Sequence, residues 1–84
     1  MSQAIEHQIR GFIVESFLFG DTSNGFENSD SLLEKGIIDS TGVLELVSFI
    51  EETYGIKVED EELIPENLDS VVFVSAYITR KKTA

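Results

Sequence analysis

An 84-residue chain has room for one domain, 1–84, and buries only about 60% of its unfolded surface, so its apolar 42% must pack efficiently. It contains no cysteine, which excludes disulfides and thiolate metal sites. Sixteen acidic against six basic residues give a formal net charge of −10, a field that repels nucleic-acid phosphates and anionic membranes and attracts basic protein patches.

Residues 1–10 lack the apolar run of a signal peptide, and nowhere are there the ~20 apolar residues of a membrane span, so a soluble, cytoplasmic monomer is expected. Ile5, Ile9, Phe12, Ile13 and Phe17 recur at helical spacing and predict a first helix over 2–19, with Ser2 as N-cap and Gly20 as C-cap. A long connection, 21–39, follows. Leu32, Leu33, Ile37 and Ile38 anchor it, and Ser31 with Glu34 has capping-box spacing for one helical turn near 32–35, stopped by Gly36.

The second helix, 40–54, is the most regular. Val43, Leu46, Val47, Ile50 and Tyr54 share one face of a 3.6-residue wheel, and Thr41, Glu45, Ser48 and Glu52 the opposite one, with Leu44 and Glu51 on the flank. Gly42 in its first turn costs helix stability with no reason visible in the sequence. A short third helix is expected over 59–64, limited by Pro65, and a fourth over 70–81, capped by Asp69 or Ser70, with Val71, Val74, Ser75 and Ile78 on its inner face. The fold class is therefore all-α: a four-helix bundle with three main helices, one short third helix and a long first connection. Its expected core is Ile5, Ile9, Phe12, Ile13, Val43, Leu46, Val47, Ile50, Leu68, Val71, Val74 and Ile78.

One histidine and no cysteine cannot build a zinc site or a Cys/His nucleophile, and no metal site is expected. A calcium loop beginning at Asp21 fails, because Gly25 falls one place early and the twelfth position is Leu32. Asp-Ser occurs three times, at Asp30-Ser31, Asp39-Ser40 and Asp69-Ser70, and such pairs ordinarily cap helices or turns. Only Asp39-Ser40 is entered through Gly36-Ile37-Ile38 and followed by a helix alternating acidic and aliphatic positions.

This arrangement resembles the acyl carrier protein family, with its peptidyl and D-alanyl carrier relatives, over nearly the whole chain. The resemblance implies a carrier that is not itself an enzyme. It would hold acyl or aminoacyl groups as thioesters on a covalent 4'-phosphopantetheine arm at Ser40, beside Asp39, with Ser40 also capping its helix. The implied partners are a phosphopantetheinyl transferase, a loading ligase and downstream synthases with basic docking patches. Thr41, Leu44, Glu45, Ser48, Glu51 and Glu52 would meet them. Thr41 and Gly42 replace the large apolar and acidic residues usual after the serine, which points away from housekeeping fatty-acid synthesis toward a polyketide, lipid or aminoacyl pathway. The cargo is not fixed by the sequence. The alternative expectation is an interaction module that keeps the bundle without the prosthetic group.

Overall fold

Helix α1 (Ser2–Phe17) carries Ile9 and Ile13 fully inside the protein, with Ile5, Phe12 and Phe17 packed at the margin. The structure, a computed structural model, describes residues 2–18 and 25–83. The expected caps at Ser2 and Gly20, and the end of the predicted first helix at Phe19, lie outside the described side chains and residues.

From Phe26 onward the connection is a packed layer. Phe26, Leu32 and Ile38 are buried in the core. Arg10 of α1 donates to the Phe26 carbonyl and to Asn28 Oδ1, each at 2.7 Å, and its guanidinium sits 4.1 Å from the Phe26 ring centroid. One turn forms where capping-box spacing predicts it: Glu34 N–H donates to Ser31 Oγ at 3.2 Å, and Lys35 N–H to the Ser31 carbonyl at 3.1 Å. Gly36 closes it at φ 72°.

Helix α2 (Ser40–Tyr54) turns Leu46 and Ile50 into the core, and Gly55 ends it in the left-handed conformation at φ 67°. The expected third helix over 59–64 is replaced by two pieces. A 3₁₀ turn, Asp60–Glu62, is closed by a capping box between Glu59 and Glu62, and a separate helix α3 (Pro65–Leu68) follows. Pro65 begins α3 where it was expected to end a helix; its fixed φ and missing N–H suit a first helical position, where that N–H would have no partner.

Helix α4 (Val71–Thr83) packs on α1 and α3 through Val71, Val74, Ser75, Tyr77 and Ile78, all buried. Its cap is Ser70, whose Oγ accepts from Phe73 N–H at 3.0 Å, while Asp69 is occupied by the connection. The result is an all-α, compact four-helix bundle with a long first connection. Ile5, Phe12, Val43 and Val47, expected at its centre, are only half-buried, and Phe26 and Tyr77 take their place. Each Ile, Leu or Val wholly buried contributes roughly 1.5–3 kcal/mol, the main favourable term in a fold with no disulfide. No helix among the described residues is long and apolar enough to cross a membrane.

Candidate functional site: the head and outer face of helix α2

Asp39 fixes the head of α2. Its backbone is extended (φ −113°, ψ −173°), and its Oδ1 accepts from Gly42 N–H at 2.8 Å, satisfying one of the unpaired amides of the first turn. Ser40, expected to share the capping, is instead the first helical residue, and it is exposed. The capping job falls to Asp39, whose side chain reaches back over the turn. The Ser40 hydroxyl is thus left facing solvent at a helix N-terminus, where the dipole favours negative charge.

Gly42 is the local oddity that the structure explains. A Cβ there would stand 2.9 Å from Phe17 Cε1, and 3.4 Å from Asp39 Oδ1 and Ile38 Cγ2. The helix head is drawn so close to the end of α1 that a side chain here would have to displace the Phe17 ring.

Along the outer face, Thr41, Leu44, Glu45, Ser48 and Glu52 are all exposed, as the wheel predicts. Leu44 is 61% exposed, a large apolar side chain held in water among carboxylates. These five residues line an open groove whose floor is Phe12 of α1 and Phe49 of α2. The two rings stack with centroids 4.2 Å apart and planes 16° from parallel. The sequence alone does not reveal this floor: its periodicity assigns Phe12 to the core and gives Phe49 no partner. Their common position on adjoining helices becomes visible only after α1 and α2 are packed. Tyr54 steadies the far end, donating to Gln8 Oε1 at 2.5 Å; burial pushes its phenol pKa up.

Glu51 does not share this face. It is half-buried, and its Oε2 accepts from Val58 N–H at 2.9 Å, tying the chain after Gly55 back to α2. Its carboxylate serves the fold.

No family model matches the chain. Among curated proteins it is 27% identical over 78 residues to "Probable acyl carrier protein PigG" of Serratia sp. (strain ATCC 39006), covering 93% of this chain and 88% of that protein. Among solved structures it matches a chain of one described as "Crystal structure of FAD-dependent dehydrogenase", with a TM-score of 0.71 and 33% identity, covering 83% of this chain and 97% of that one. Since 83% of 84 residues is nearly all of the matched chain, that chain is shorter than this one.

The structural match is the stronger of the two in identity, and it overturns the carrier expectation. Membership of the acyl carrier family, thioester carriage, phosphopantetheine on Ser40 and a chain that is not an enzyme do not stand against a neighbour described as a dehydrogenase. The apolar cavity beside α3 is too small for a flavin. That cavity, between Leu32, Leu63 and Leu68, is about 130 Å³, below the roughly 300 Å³ at which pockets for even drug-sized ligands begin. The sequence has no Gly-x-Gly-x-x-Gly, and the described residues form no strand–helix–strand unit to present one.

Proposed function

We propose, from the premise that this chain and the small helical chain matched in the dehydrogenase structure belong to one family, that it is a helical component of a flavin-dependent dehydrogenase system and meets the flavoprotein through α2. The observation that carries this reading is the 33% identity to that chain over 97% of its length. The exposed face of α2 supports it. Leu44 gives an apolar anchor, and Glu45 and Glu52 give a negative rim that a basic patch on the partner complements. Ser40 and Asp39, exposed at the helix head, extend the same contact. FAD belongs to the partner in this reading, because this chain has no Gly-x-Gly-x-x-Gly and its apolar cavity beside α3 is too small for a flavin. We place the encounter in the cytoplasm, a reducing compartment with which a cysteine-free sequence is compatible.

The test titrates an FAD-loaded dehydrogenase of the kind named for the matched structure into dye-labelled chain and follows fluorescence anisotropy. Saturable binding is expected, weakened by added salt and roughly tenfold weaker for Leu44→Ala and for Glu45→Lys/Glu52→Lys. An anisotropy that never saturates, or affinities indifferent to all these changes, would reject the assignment.

A further inference from the structure

The apolar cavity lies between two parts of the chain. Leu32, Leu33 and Ile38 of the connection form one wall, and Leu63, Ile64 and Leu68 around α3 form the other. Its lips are wet: Leu33 is 44% exposed, Ile64 40% and Leu63 38%. Leu32, Ile38 and Leu68 at its back are core residues, while the void leaves the lips without partner atoms on one side, so packing holds the mouth less firmly than the back. Across the mouth the joining contacts are polar, and they converge on one residue. Ser31 Oγ donates to Asp69 Oδ2 at 2.5 Å, Leu33 N–H donates to Asp69 Oδ1 at 3.0 Å, and Leu32 N–H donates to the Asp69 carbonyl at 2.7 Å. Among the described residues, every hydrogen bond found between segment 31–38 and the joint of α3 with α4 ends on Asp69.

We infer that Asp69 is the latch of a flap: its side chain and carbonyl hold segment 31–38 shut over the cavity, and their release opens an apolar slot. The flap has a built hinge. Gly36 at φ 72° permits a backbone rotation that other residues resist, and Asp39 anchors the segment's far end to α2. Closure is therefore local. Three hydrogen bonds across the mouth hold it, and opening draws Leu32 and Ile38 from the edge of the core while Ile9, Ile13, Leu46 and Ile50 stay buried behind them.

The test compares the full chain with Asp69→Ala and the milder Ser31→Ala by two readouts: fluorescence of the neutral apolar dye N-phenyl-1-naphthylamine, and amide hydrogen exchange. The open state is the dye-competent one, so raising its population raises apparent affinity in proportion. Asp69→Ala is expected to bind dye roughly fivefold or more tightly, with Ser31→Ala between it and the parent. Exchange should quicken at Leu32, Leu33, Ile37 and Ile38 and stay slow at Ile9, Ile13, Leu46 and Ile50. Quickened local exchange with unchanged dye affinity would overturn the gate. Exchange that rises equally through the core in both variants would show Asp69 to be general scaffolding and overturn it too. If Asp69→Ala does not fold, Ser31→Ala alone decides between these outcomes.

Discussion

Phe17 and Gly42 meet at the point where the end of α1 crosses the head of α2, the Phe17 ring edge standing 2.9 Å from where a Gly42 side chain would begin. Phe17 is itself braced, packing edge-on against Phe12 at a centroid distance of 5.8 Å. Two opposed effects follow for Gly42→Ala. Alanine gains about 1 kcal/mol of helix propensity, and overpacking against a braced ring costs about 1–3 kcal/mol. The overpacking wins. The variant should lose roughly 1 kcal/mol, a drop of about 4–8 °C in thermal midpoint for a domain of this size. Replacing Phe17 by Leu as well should make the double variant more stable than the sum of the singles, which a thermodynamic cycle on urea midpoints measures.

Adjacent carboxylates on α2 should behave differently. Glu51→Ala removes the acceptor of Val58 N–H beside a buried side chain and should cost about 1–2 kcal/mol in chemical denaturation. Glu52→Ala, fully on the outer face, should stay within about 0.5 kcal/mol of the parent. Partner binding should show the reverse order, with Glu52 sensitive and Glu51 not. Equal stability losses would contradict the assignment of Glu51 to the fold.

Acid should loosen the 3₁₀ turn at Glu62. The Glu59 N–H, then hydrogen bonds from Lys81 and Tyr77, hold its carboxyl at about 2, below the ordinary 4.5. A folded-state value below the unfolded one means stability present above pH 4.5 and lost as pH falls from there toward 2. Urea midpoints measured down this window should fall for the parent and fall less for Glu62→Gln. Some slope should persist, because the Glu27 N–H also lowers the Asp30 pKa. A variant with the parent's full acid limb would remove Glu62 from the account.

How far these features can be read from the residues depends on which interactions place them. The α2 wheel is legible because one helix buries one stripe, and Leu46 and Ile50 fall inside while Thr41, Glu45, Ser48 and Glu52 fall outside. Phe26 is not, since it sits in a polar connection without periodicity and is held by Arg10 from 16 residues away. Pro65 illustrates an ambiguity of chemistry: the same ring that stops a helix also starts one, and here it starts α3 just after the 3₁₀ turn closed by Glu59 and Glu62. The cofactor expectation failed for another reason. An exposed hydroxyl at a helix head is a geometry with many uses, and its chemistry is supplied by whichever protein meets it.

The paired rings of Phe12 and Phe49 make the contact surface a joint product of two helices that lie far apart in the chain. A synthetic peptide copying residues 40–54, even if stapled into a perfect helix, would carry Leu44 and the carboxylates but only half of the aromatic bed beneath them. Such a mimic should compete poorly with the intact bundle, and any ligand that pries α1 from α2 would erase the surface without touching a residue on its rim.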